Sequence, residues 1–174
     1  MSIHWYPYIR SALIVFLGLM SVCAHAQLNI EIFGGGASRI PIAIVPFAEE
    51  NKLQQSITPV IGADLQRTGL FKLVDPAGLS PHAPVEVVYA DWVNPGANAL
   101  VIGRVIVSLP GDQVEIQFRL MDVAKKSQLT GLAITVPRSQ LRAAAHRIAD
   151  VIYEALTGDV GVFSTRIAYV IETR

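Results

Sequence analysis

The 174-residue chain is short of nearly everything that would announce a catalyst or a nucleic-acid binder. It has a single cysteine, Cys23, so no intrachain disulfide can form and the fold must be held by its core. Aromatic residues make up only 7% and charged residues 16%, with 14 basic and 14 acidic side chains giving a formal net charge of zero. With no basic block, nucleic acid and anionic membrane surfaces are poor partners. Of the four histidines, only His82 and His146 lie beyond the first 26 residues. Neither has a second histidine or a carboxylate at metal-ligand spacing. There is no internal repeat and no low-complexity tract.

What the chain does have begins with a leader. Arg10 precedes the apolar run Ser11 to Val22, and Ala24-His25-Ala26 is a small-x-small cleavage site. A run of that length is shorter than the ~20 residues a membrane span needs, so residues 1–26 are expected to be a cleaved secretory signal. Cys23 follows Val22 rather than a small residue and precedes the A-x-A site, which argues against lipid attachment.

Beyond the leader, Leu28, Ile30 and Ile32 alternate with Asn29 and Glu31 in a short half-buried strand pattern, broken by Gly34-Gly35-Gly36. Those glycines carry no Lys-Ser/Thr pair and open onto no helix, so they are a flexible connector and not a phosphate loop. Ile40 to Phe47 is near-continuously apolar, as in a strand covered on both faces, with Pro41 and Pro46 expected near its ends. Ser56 to Arg67 has the stripe Ile57, Ile61, Leu65 of an amphipathic helix, with Ser56 or Thr58 as cap, Pro59 in the first turn and Gly69 as stop. Phe71 to Asp75 then completes a βαβ unit.

Pro76 to Pro84 is a proline-rich loop, and Val87 to Trp92 fits neither period clearly. Trp92 is expected as a core anchor. Ala99 to Val107, Gln113 to Leu120 and Leu129 to Val136 make an antiparallel meander, the second alternating Val114, Ile116, Phe118 and Leu120 against Gln113, Glu115, Gln117 and Arg119. The longest helix, about Ser139 to Leu156, carries Leu141, Ala145, Ile148, Ile152 and Leu156 on one face. Arg142, His146, Asp150 and Glu154 lie on the other, with His146 and Asp150 one turn apart and suited to a surface pair. The fold class is therefore α/β: a mixed sheet of about five strands with two helices packed on one face.

The closing stretch Phe163 to Arg174 alternates Ile167, Tyr169 and Ile171 like a strand with one buried face, with Arg166 as a solvated or edge charge. Nothing follows for it to pair with. The expectation is that this polypeptide is the front of something longer, or is completed by a partner.

No serine sits in a nucleophile elbow. A hydrolase built on Asp64, Asp91 or Asp122 would need two of those carboxylates to meet in a cleft, and Asp64 beside the core position Leu65 is expected to face solvent. An enzyme is not expected. A stand-alone periplasmic binding or assembly-factor domain remains an alternative.

Several strings together carry a resemblance: Gln27-Leu28-Asn29-Ile30-Glu31-Ile32, Ile40 to Phe47, Ala63 to Phe71, Leu100-Val101-Ile102-Gly103-Arg104-Val105, and above all Phe163-Ser164-Thr165-Arg166-Ile167-Ala168-Tyr169-Val170. In order along 27–174 they resemble the amino-terminal domain of the TolB family, periplasmic components of the Tol–Pal envelope system. The resemblance implies a non-enzymatic periplasmic protein, without cofactor or metal, that supports outer-membrane integrity, envelope constriction in cell division and protein import, including that of some colicins. It implies an α/β domain followed by a β-propeller. The propeller of this family binds the Pal lipoprotein, and the mature amino terminus contacts the inner-membrane protein TolA.

Mapped residue by residue, the TolA-type contact arm falls on Gln27, Leu28, Asn29, Ile30, Glu31, Ile32 and Phe33. The implied organisation is signal peptide 1–26, flexible arm 27–36, α/β domain 37–158, and 159–174 as linker and first strand of a missing propeller, so no Pal-binding residue is assigned. Docking the three aliphatic side chains would gain ~1.5–3 kcal/mol each, and strand hydrogen bonds ~0.5–1.5 each. Ordering each backbone residue costs ~1–2 kcal/mol. The terms nearly cancel, which makes docked and extended states of the arm both accessible.

Overall fold

The computed structural model describes residues 39–107 and 112–165. Strand β1 (Ile40–Ile44), helix α1 (Thr58–Arg67) and strand β2 (Phe71–Val74) form the expected crossover, with Ile40 opposite Phe71 in a parallel ladder. Strand β3 (Ala99–Ile106) lies parallel to β1 on its other side. Strands β4 (Gln113–Asp122) and β5 (Ser127–Pro137) follow antiparallel, giving the order β2-β1-β3-β4-β5. Helix α2 (Ala90–Val93) is one turn long, and helix α3 (Leu141–Thr157) closes the domain.

The unbroken apolar run of β1 is explained by its position. Ile42 and Ile44 face the helices, while Ala43 and Val45 belong to a second cluster on the opposite face. Pro41 lies inside the strand rather than at its end; it serves there as an acceptor, its carbonyl receiving Asn98 N–H at 2.9 Å.

Both longer helices cover one face of the sheet. Ile57, Ile61 and Leu65 from the α1 side, and Leu141, Ala145, Ile148 and Ile152 from α3, pack on Val101, Val105 and the inward row Val114, Ile116, Phe118 and Leu120. Burial of each large aliphatic contributes ~1.5–3 kcal/mol, so this two-layer core is the main source of stability. Gly69 (φ 75°) and Gly158 (φ 83°) adopt the left-handed conformation that ends α1 and α3.

Among the described residues the other face is covered over only part of the sheet. The connection between β2 and β3, which follows no clear period in the sequence, contains α2 and lays Val87, Trp92 and Ala97 on Leu100, Ile102 and Met121. Trp92 is 1% exposed, the expected anchor. Among the described residues the two helices expected on one face are joined by a third, one-turn helix on the opposite face. Over β4 the same face is polar, with Glu115, Gln117 and Arg119 alternating with the core row.

Candidate interaction surfaces

The candidate contact arm, Gln27 to Phe33, lies outside the described residues, as do the leader, the triple glycine and the 166–174 segment with Arg166, Ile167, Tyr169 and Ile171. The described chain is entered at Arg39, which is exposed. Ile40 N–H then donates to Leu70 O at 2.8 Å, fixing the start of β1 beside the exit of α1.

Asp64, His146 and Asp150 on the two helices are spent on holding the domain together. Asp64 is 2% exposed, not solvent-facing. Its Oδ1 accepts Arg67 Nη1 at 2.9 Å and its Oδ2 meets His146 Nδ1 at 2.5 Å. A carboxylate at this depth is tolerable only because both oxygens are engaged. His146 therefore pairs with Asp64 across the helix–helix contact and not with Asp150 one turn along its own helix. Its partner is 82 residues away, and no local spacing in the sequence signals it.

Asp150 has a different task. Its Oδ1 accepts Phe163 N–H at 2.7 Å, and its Oδ2 accepts Ser164 N–H at 3.1 Å and Ser164 Oγ at 2.5 Å. The chain leaving α3 is thereby folded back along the helix, and Phe163 packs edge-on against Tyr153 with ring centroids 5.8 Å apart. Gly161 permits this approach, since a Cβ there would stand 2.5 Å from Asp150 Cα.

At the other helix the cap differs from the expected one. Neither Ser56 nor Thr58 caps α1. Instead Glu50, 9% exposed, reaches from the preceding loop, and its Oε2 accepts Thr58 N–H at 3.1 Å and Thr58 Oγ1 at 2.9 Å. A carboxylate at a helix N-terminus also complements the helix dipole.

The carboxylates considered for catalysis do not converge. Asp64 is between α1 and α3, exposed Asp91 is on α2 across the sheet, and Asp122 Oδ1 accepts Lys125 N–H at 2.8 Å in the β4–β5 turn. That backbone bond, ahead of the Lys125 charge, holds the Asp122 carboxyl below its ordinary value of 3.8. Among the described residues no three His, Cys, Asp or Glu side chains are grouped to hold a metal ion, and no helix is long and apolar enough to cross a membrane. What the geometry supplies is a structural support in which Glu50, Asp64 and Asp150 lock the domain's own elements to one another.

Comparison with known proteins gives this support a family. The model described as the TolB amino-terminal domain matches residues 28–129. A Tol-Pal system protein TolB from Nitrosospira multiformis is 64% identical over 163 residues, covering 93% of this chain and 37% of that protein. The Nitrosomonas europaea protein of the same name is 55% identical over 157 residues, covering 90% and 37%. The crystal structure of TolB from Acinetobacter baumannii superposes with a TM-score of 0.61 at 33% identity, over 73% of this chain and 30% of that one. The chain thus spans 37% of the length of these two curated relatives.

Proposed function

Because the chain belongs to the TolB amino-terminal domain family, we propose that it acts as the amino-terminal module of a periplasmic, non-enzymatic Tol–Pal component. In this reading residues 1–26 direct export and are removed. Gln27 to Phe33 then contact a TolA-like inner-membrane protein by adding a strand to its sheet. The α/β domain serves as the support from which that arm is presented. Binding of a Pal-like lipoprotein is assigned to no residue of this sequence. The biological role is upkeep of the outer membrane, envelope constriction during division and protein import.

The observation that carries this reading is the 64% identity with a Tol–Pal system protein over 93% of the chain. The arm's alternating Leu28, Ile30 and Ile32, ahead of three glycines, supports the strand-addition mode. Deleting Gln27 to Phe33 should abolish binding of the TolA-like partner while leaving the melting temperature nearly unchanged. Retained binding in the deletion variant would rule the arm out.

A further inference from the structure

The sheet face turned away from α1 and α3 holds a polar cluster that the Tol–Pal reading does not use. Register sets Arg104 of β3 opposite Gln117 of β4, and Arg119 of β4 opposite Ile102 of β3 and Gly131 of β5. Residues two apart share a face, so Arg104 and Arg119 rise from diagonal positions on one face, with the Arg119 stem leaning over Gly131 toward β5. Neither forms an ion pair among the described residues.

The nearby carboxylates are already engaged. Glu115 Oε1 accepts Gln117 Nε2 at 2.7 Å. Glu86 Oε2 accepts the backbone N–H groups of His82 and Ala83 at 2.7 and 3.2 Å. Those two bonds pin the proline-rich loop over the arginines. His82, Ala83 and Pro84 from the loop, with Arg104, Gln117 and Arg119 from the sheet, line a cavity of about 60 Å³.

Two details mark the cavity as built. Nδ1 of His82, one of its lining residues, is buried with no hydrogen-bond partner, whereas nearly all buried polar atoms have one. Arg119 is held in place, its Nη1 donating to Phe118 O at 2.8 Å while its stem crosses Gly131, where a Cβ would stand 2.5 Å from Arg119 Cδ. Only glycine on β5 leaves room for that path.

We propose that this cavity is a carboxylate-binding site, taking an acidic side chain of a bound peptide or a small free carboxylate. A guanidinium offers a planar fork of N–H donors that matches two carboxylate oxygens. A carboxylate in the cavity would meet Arg104 and Arg119 among its lining residues. It also brings an acceptor to the wall that His82 helps to form. The space is several times the ~10–15 Å³ that one water requires, enough for a carboxylate and the carbon that bears it. None of the residues lining the cavity belongs to the proposed arm, so either assignment can fail without the other.

The test is a titration of the 174-residue chain followed by NMR at the Arg Nε–H and His82 ring resonances. The probes are Ac-Gly-Glu-Gly-NH2, Ac-Gly-Gln-Gly-NH2, acetate and inorganic phosphate. The glutamate peptide should give saturable shifts at Arg104, Arg119 and His82, with the glutamine peptide about tenfold weaker or more. Arg104→Gln, at an exposed position, should weaken the glutamate peptide about tenfold while keeping a dispersed amide spectrum. Gly131→Ala should weaken it by displacing Arg119 without removing a charge. Acetate binding as tightly as the glutamate peptide would identify a free carboxylate as the ligand, and weaker acetate binding an acidic peptide. Equal binding of the two peptides, equal binding of phosphate, no saturable shift, or unchanged affinity in folded Arg104→Gln would each overturn the proposal.

Discussion

Asp64 on α1 and His146 on α3 are joined side chain to side chain at 2.5 Å across the seam between the two helices. The same carboxylate holds Arg67 at 2.9 Å through its other oxygen. One buried acid therefore ties the crossover helix of the βαβ unit to the closing helix of the domain. Ile61, Leu65 and Ile148 of the same two helices belong to one apolar cluster, whose attraction is non-directional.

Asp64→Ala is expected to cost ~1.5–3 kcal/mol, the range for hydrogen bonds to a charged group. His146→Ala should cost less, because Asp64 keeps Arg67. The two changes should be non-additive, with a coupling of ~0.5–3 kcal/mol in a double-mutant cycle from urea unfolding. Additive effects would mean that the pair contributes nothing as a pair.

Gly103 sits where no side chain fits. A Cβ there would stand 2.5 Å from Gln117 O and 2.7 Å from the Phe47 ring. Gly103→Ala should destabilise the domain by ~1–3 kcal/mol, the usual cost of overpacking. Adding Phe47→Leu should fail to restore stability, since the backbone oxygen of β4 remains in the way. Urea midpoints of the single and double variants check this directly.

The loop over the polar sheet face should respond to acid. The backbone N–H of His82, the largest influence, holds the Glu86 carboxyl below its ordinary value of 4.5. A depressed folded value means that the stabilisation is complete above the unfolded value and is lost as pH falls through the lower, folded one. Protection of the His82 and Ala83 amides should therefore persist at pH 5 and disappear only below 4.5. Glu86→Gln should remove that pH dependence and leave the Lys125 amide, held by Asp122, responding as before. Amide exchange measured residue by residue separates the two sites.

Wherever one period ran unbroken, the elements were legible from residues alone. The β4 row Val114, Ile116, Phe118 and Leu120 and the α1 stripe Ile57, Ile61 and Leu65 are buried as their spacing requires. What escaped was decided by distant partners. Asp64 stands three residues after Ile61 and seven after Ile57, the spacing of the buried stripe, but its charge pointed to solvent and only α3 brings His146 to it. Glu50 caps α1 from outside the helix, so the Ser56/Thr58 pattern misleads. The β2–β3 connection packs through Val87, Trp92 and Ala97, which are not in register with either a helix or a strand period. The candidate arm lies outside the described residues, and its assignment to a partner rests on the family resemblance rather than on any local pattern.

A competition experiment with a synthetic peptide spanning Gln27 to Gly36 probes the account at its centre. Added to a preformed complex of the mature chain and a TolA-like protein, the peptide should displace the chain, and a version with Leu28, Ile30 and Ile32 replaced by serine should not. A peptide that fails to compete, together with a 37–174 chain that still binds the partner, would contradict the account.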